Sequence, residues 1–226
     1  MKTLIFDIET GPAPEEEIRS MMPDFDPNAV KMGNLKDPEK RAEKLKEAKE
    51  NYYTDAYAKA ALHAWSGQVL AIGYRITEGD NTYATVVLEG DEADIISDFI
   101  DLVSNCRVNG GQIIGFNIKG FDLPFLARRA IKHGLLRADV LRPANNRYYS
   151  NCFVDIMEIW QCGSRMEFIS MNRLATFMGC DQKIDNGVTG KSFWSFYEDE
   201  ETRELALDYL RQDIEVTAQI AEKLLP

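Results

Sequence analysis

Hydrophobic and polar positions alternate with period two over residues 3–9, Thr-Leu-Ile-Phe-Asp-Ile-Glu. The alternation predicts a strand with Leu4, Phe6 and Ile8 on one face and Ile5, Asp7 and Glu9 on the other. Gly11, Pro12 and Pro14 then stop it. Residues 68–76 and 82–88 are rich in β-branched and apolar side chains, and Thr-Glu-Gly-Asp-Asn between them supplies a turn, so they read as a hairpin. With the first strand they form an expected antiparallel meander.

Helical spacing takes over at residues 91–106, where Ile95, Ile96, Phe99, Ile100 and Val103 follow an acidic start. Residues 112–116 form a short apolar run among Gly110, Gly111 and Gly115, which suits a buried strand. Residues 122–132 read as a helix with Pro124 in its first turn and Gly134 as its stop. A strand is expected at 153–157, a short helix at 170–178 ending on Gly179, and a strong amphipathic helix at about 200–224 with Leu210, Ile214, Thr217, Ala221 and Leu224 in register. This order predicts an α/β protein whose mixed sheet, antiparallel in its first three strands and parallel afterwards, is flanked by helices. From Lys31 to Tyr53 the composition turns to Lys, Glu, Ala and Asn, with pairs such as Lys40 with Glu43 and Lys46 with Glu50. That is a solvated helix. One domain over 1–226 with a charged insertion at about 31–59 is the expected organisation.

Composition narrows the function. The chain of 226 residues carries 26 Lys plus Arg against 37 Asp plus Glu, a formal net charge of -11. Such a balance argues against a protein that coats polyanions generally, but leaves room for one that meets phosphates through bound cations and a local basic patch. Cys106, Cys152, Cys162 and Cys180 form no C-x-x-C pair, so free thiols in a reducing, cytoplasmic setting are expected. The longest charge-free stretch, 60–74, includes His63, Ser66, Gly67 and Gln68, which excludes it as a membrane span. No secretory signal pattern opens the chain, since Lys2 is followed by Asp7.

The acids carry the candidate chemistry. Asp7 and Glu9 point to one face near the carboxyl end of their strand, where α/β ligand sites gather. Two like charges side by side repel unless a cation neutralises them, and hard oxygen ligands favour magnesium or manganese. Asp213 falls on one helical face with Tyr209, Val216 and Ile220. A carboxylate set in an apolar stripe needs a partner, either a basic side chain or a metal. Tyr209, one turn earlier, presents its hydroxyl to the same place. Asp122 follows the 112–116 strand, and taken alone it reads as a helix N-cap, with Asn117 a loop residue. Asp208 and Glu215 fall on other faces and read as solvated.

Together these residues resemble the DEDD superfamily of 3′-to-5′ exonucleases. Its first motif, D-x-E, stands here as Asp7-Ile8-Glu9-Thr10, its second as Asn117-x-x-x-Phe121-Asp122, and its third, Y-x-x-x-D, as Tyr209-Leu210-Arg211-Gln212-Asp213. Position 208, where the histidine type has its histidine, is Asp, so the resemblance is to the tyrosine type. Within it the chain is similar to stand-alone predicted exonucleases related to the proofreading domain of family B DNA polymerases. The resemblance implies a ribonuclease H-like fold and two divalent cations, Mg2+ or Mn2+, held by Asp7, Glu9, Asp122 and Asp213. It also implies that Tyr209 orients the attacking water, and that Thr10, Asn117 and Phe121 lie on the substrate. The segment from about 31 to 59 matches no element of the family.

Between Lys119 and Arg147 seven basic residues, Lys119, Arg128, Arg129, Lys132, Arg137, Arg142 and Arg147, face only Asp122 and Asp139. They read either as an ordinary basic helix face or as a strip following a single strand, with Lys119, Arg128 and Arg129 on the substrate and Phe116, Phe121 or Tyr148 stacking on a base. Gly190-Lys191-Ser192 is no P-loop, because the glycine five residues earlier is replaced by Asp185 and no strand precedes it. Asp155 reads as a strand-terminal cap. The expected function is metal-dependent removal of nucleotides from the 3′ end of single-stranded DNA, in the company of a replication or repair partner. RNA as substrate, or a non-catalytic binding module, are the alternatives.

Overall fold

A computed structural model describes residues 2–141, 152–164 and 167–225. In chain order the strands and helices are β1 (Lys2–Pro12), α1 (Glu15–Met21), α2 (Pro38–Ala60), β2 (Gly67–Glu78), β3 (Asn81–Thr82), β4 (Val86–Glu89), α3 (Glu92–Val108), β5 (Gln112–Gly115), α4 (Asp122–Lys132), β6 (Phe153–Asp155), α5 (Ile156–Trp160), α6 (Met171–Met178), α7 (Phe193–Glu198) and α8 (Arg203–Leu224). No described helix is long and apolar enough to cross a membrane. The chain divides into two compact units, residues 1–10 with 69–226 and residues 11–68.

The larger unit is an α/β sandwich on a mixed sheet ordered β3-β2-β1-β5-β6, with β4 also paired to β2. β1, β5 and β6 run parallel, while β2 is antiparallel to β3 and β4. The hairpin differs from its expected form. β2 runs on to Glu78, a tight turn at Gly79-Asp80 uses the positive φ of Gly79, and residues 83–85 break the return strand before β4 resumes opposite residues 71–74. Alternation along β1 divides its side chains as expected: Phe6 packs on Phe99 of α3 at 4.7 Å between ring centroids, whereas Ile5 joins Ile114 and the α8 residues Ile214, Val216 and Ala218. Asp7 and Glu9 therefore face α8. Close approach of that helix depends on Gly73 in β2, where a Cβ would lie 2.9 Å from Leu210 Cγ.

Within residues 11–68, Asp37 caps α2 by accepting from the Glu39 and Lys40 amides, with Pro38 in the first turn. Ala13, Ile18 and Ala60 form a small core with Met22 and Tyr57. The expected Lys40–Glu43 and Lys46–Glu50 ion pairs are not formed. Exposed pairs of this kind contribute only about 0.2–0.5 kcal/mol each, too little to hold two long side chains in place.

Candidate active site

The site lies where β1 outruns its neighbour. β5 pairs with β1 only as far as Ile5, then ends at Gly115. A Cβ at Gly115 would sit 2.3 Å from Ile118 Cγ2 and 2.7 Å from the Phe6 carbonyl oxygen, so only glycine permits the sharp exit of the chain. Asn117 follows with φ 61, a conformation asparagine tolerates better than most residues. The turn is held by Asp155, whose carboxylate accepts from the amides of Asn117 (2.9 Å), Lys119 (2.9 Å) and Met157 (3.0 Å). Asp155 is thus the expected cap and also the strut of the β5–α4 turn, with its carboxyl occupied by backbone.

That turn delivers Asp122 at the start of α4, after Phe121, rather than as its N-cap. Its Oδ1 accepts from the Ile8 amide at 3.2 Å, a donor that β5 no longer pairs. Its carboxyl also lies close enough to Asp7 for the two groups to affect each other's charge. From the other side α8 brings Asp213, and carboxylate oxygens of Asp7, Glu9 and Asp213 all lie within 4.8 Å of one another.

Burial raises the Asp7 carboxyl to about 6, with Lys183 acting against it. Glu9 is pushed well above the usual carboxylate range by burial and by the charge of Asp7, and Asp122 likewise. These acids are held together against their own repulsion, the arrangement that a cation relieves.

Lys183 is the site residue that sequence reasoning missed. It lies between α6 and α7, and its ammonium pairs with Asp213 Oδ1 and rests 4.0 Å from the centroid of the Tyr209 ring. The expectation that Asp213 needs a basic or metal partner anticipated such a group without locating it. No periodicity marks residues 180–192, so only the tertiary fold reveals it. Both groups are buried, so the pair meets in a setting where charge is poorly screened. Burial lowers the Lys183 ammonium to about 8, against the opposing charges of Asp7 and Glu9. Tyr209 is pushed up to about 12, by burial first and then by Glu9 and Asp7, opposed by a backbone hydrogen bond from Gly190. At neutral pH it keeps its proton as a phenol. The donor set suits a hard divalent ion: clustered carboxylate oxygens of Asp7, Glu9 and Asp213 within 4.8 Å of one another.

The remaining expected residues divide. Thr10 is buried directly behind Glu9. Asn117, Lys119 and Gly120 line a cavity of about 300 Å³ with Glu158, Gln161 and the exposed Phe168, and Phe121 packs its ring on Phe125. Phe116 is partly buried against the α8 cluster. Arg128 is exposed.

Arg129 departs from the expected substrate role. It is 2% exposed and grips Glu92 through Nε (2.8 Å) and Nη2 (2.5 Å), so no phosphate can reach it. Two further members of the basic strip are paired with acids, Lys119 with Glu158 and Arg137 with Asp101. Arg142, Arg147 and Tyr148 lie outside the described residues. On α8, Asp208 is exposed and paired to Arg211, and Glu215, whose side chain is 46% exposed, is also engaged by Arg75 and Thr85. Gly190-Lys191-Ser192 is a loop before α7.

Comparison with known proteins now gives this geometry a family. Residues 57–218 match the model of a predicted 3′-5′ exonuclease related to the exonuclease domain of PolB, and the chain belongs to that family. The matched segment includes Asp122, Tyr209 and Asp213, while Asp7 and Glu9 precede it. A DNA polymerase of Archaeoglobus fulgidus is 28% identical over 166 residues, covering 70% of this chain and 20% of that protein. DNA polymerase 2 of Aeropyrum pernix is 27% identical over 154 residues, 62% of this chain and 19% of that protein. The chain thus spans about one fifth of the curated relatives it matches. The family B DNA polymerase of Pyrobaculum calidifontis superposes with a TM-score of 0.63 over 100% of this chain and 25% of its own, at 22% identity, a likeness of fold.

Proposed function

We propose that the protein is a divalent-metal-dependent 3′-to-5′ exonuclease acting on single-stranded DNA ends. The observation that carries this reading is the convergence of Asp7, Glu9 and Asp213 within 4.8 Å in a chain of this exonuclease family, with Asp122 held to the same strand through the Ile8 amide. Asp7, Glu9, Asp122 and Asp213 would hold Mg2+ or Mn2+, which when bound supply Lewis-acid stabilisation of charge at the phosphate and a more acidic water. Tyr209 positions the attacking water through its hydroxyl, and the Asn117 cavity beside Asp122 receives the terminal nucleotides, with Phe168 as a stacking surface. Opening duplex costs free energy, and the Gly190-Lys191-Ser192 segment lacks the P-loop pattern that would bind a nucleoside triphosphate, so frayed or single-stranded ends should react faster than blunt duplex. A closed single-stranded circle separates end-directed from internal cleavage. The circle should survive under conditions that degrade its linear form, and comparable rates would make the protein an endonuclease.

Tyr209→Phe deletes one hydroxyl and keeps the ring that Lys183 and Phe193 contact. The expected loss is about 100-fold in turnover, the cost of one oriented hydrogen bond at a reacting centre, with unchanged melting temperature and Mn2+ binding. Full activity in this variant would reduce Tyr209 to a packing residue.

A pH dependence follows from Asp7. Its folded pKa of about 6 lies above the unfolded value of 3.8, so in chelator its contribution to stability is present below about pH 4 and is lost as pH rises toward 6. A metal needs the ionised carboxylates. The rise in melting temperature on adding Mn2+ should therefore be small near pH 5 and grow as pH passes about 6. An increment that is the same on both sides of pH 6 would contradict the role given to Asp7.

A further inference from the structure

We propose that Lys183 is a built-in competitor for the acidic site, an internal cation that must withdraw from Asp213 before a divalent ion takes that carboxylate. The inference rests on the metal-site reading above. Its ammonium faces the Asp213 oxygen that would ligate the ion, and its charge also reaches Asp7 and Glu9. One ammonium cannot satisfy this cluster: a single positive charge on Asp213 faces three converging carboxyl groups, those of Asp7, Glu9 and Asp213. A cation of higher charge that accepts several oxygens at once is the better occupant of the same space.

Lys183 is not carried on a rigid element. It belongs to the connection between α6 and α7, which is fastened to α8 by a few hydrogen bonds. The Asp181 amide donates to Gln219 Oε1 (2.9 Å), Gln219 Nε2 donates to Asp181 Oδ2 (3.2 Å), and the Ile184 amide donates to Gln212 Oε1 (2.7 Å). Ile184 itself is 76% exposed, so no core contact of that side chain resists movement. These bonds flank Lys183 on both sides and hold it in the cluster. Loosening them frees the lysine without altering any carboxylate.

When a ligand binds only the fraction of molecules whose site is open, its apparent affinity is reduced by that fraction. Removing the competitor should then restore it. The test is titration of the metal-free protein with MnCl2, read as free Mn2+ by electron paramagnetic resonance, on the wild type, Lys183→Met, Gln219→Ala and Asp213→Asn. Melting in chelator reports folding of each. Lys183→Met is expected to bind Mn2+ about tenfold more tightly, and Gln219→Ala more tightly by a smaller factor. Equal or weaker binding by folded Lys183→Met, while wild-type binding still depends on Asp213, would overturn the competition and leave the metal site standing. Should Lys183→Met fail to fold, unchanged affinity in Gln219→Ala overturns it instead. Wild-type binding that is indifferent to Asp213→Asn would remove the metal-site reading and this inference with it.

Discussion

Asp213→Asn is expected to reduce nuclease activity at least about a thousandfold while leaving the chain folded. The substitution keeps the volume of the side chain but replaces a charged oxygen with a neutral amide at the point where α8 meets the Asp7–Glu9 face. Stabilisation of transition-state charge by a bound cation is worth several kcal/mol, and each 1.36 kcal/mol is tenfold in rate. Three to four such factors vanish if the ion is lost or displaced. Folding should tolerate the change, because it removes a buried charge from a cluster that repels itself and leaves Asp7 and Glu9 to face Lys183. Single-turnover cleavage of a 5′-labelled oligonucleotide beside a thermal melt measures both effects.

Arg129→Ala should do the reverse, costing stability rather than chemistry. Glu92 opens α3, and its side chain, 10% exposed, gathers the Arg129 guanidinium, the Val69 amide and His133. Burial alone would raise the Glu92 carboxyl, but these partners together hold it below its ordinary range. Truncating Arg129 leaves that carboxylate buried with its main countercharge gone, at a cost of about 3–5 kcal/mol. For a chain of this size that is a fall of about 6–20 °C in melting temperature. Catalysis per folded molecule should be unchanged. Were Arg129 a phosphate contact after all, the variant would instead raise KM and the salt dependence of binding at a normal melting temperature.

The two variants show what could be read from the sequence and what could not. Asp7 and Glu9 share a face because strands alternate, and Asp213 stands out because a helix repeats its faces every three to four residues. Local periodicity thus set Asp7 and Glu9 on one strand face and Asp213 in an apolar helix stripe, and the likeness to the three exonuclease motifs joined them in one place. Asp122 was legible as a residue beginning a helix after a strand, though its bond to the Ile8 amide depends on β5 ending one residue beyond its last pairing with β1. Arg129 was misread because charge counted along the chain says nothing about charge in space: its neutralising partner lies 37 residues away on another helix. Lys183 was invisible for a related reason, since a lysine in an aperiodic connection looks the same whether it ends in water or over Tyr209. Residues 11–68 were only partly legible as well. Their core is Ala13, Ile18 and Ala60, too few and too scattered to make a pattern, so only the charged helix announced itself, and its onset at Pro38 came later than the composition suggested.

The central claim is that four acids on β1, α4 and α8 make this chain a metal-dependent enzyme working from 3′ ends. Its most direct test is digestion of 5′-labelled single-stranded DNA, with RNA of the same sequence alongside, by the wild type and Asp7→Ala in Mn2+ and in excess chelator. The account predicts a ladder of products shortened stepwise from the 3′ end on DNA, present only with the wild type in Mn2+. A ladder on RNA alone would move the substrate class while keeping the chemistry. Hydrolysis that persists in chelator or in Asp7→Ala, from a preparation free of other nucleases, would contradict it.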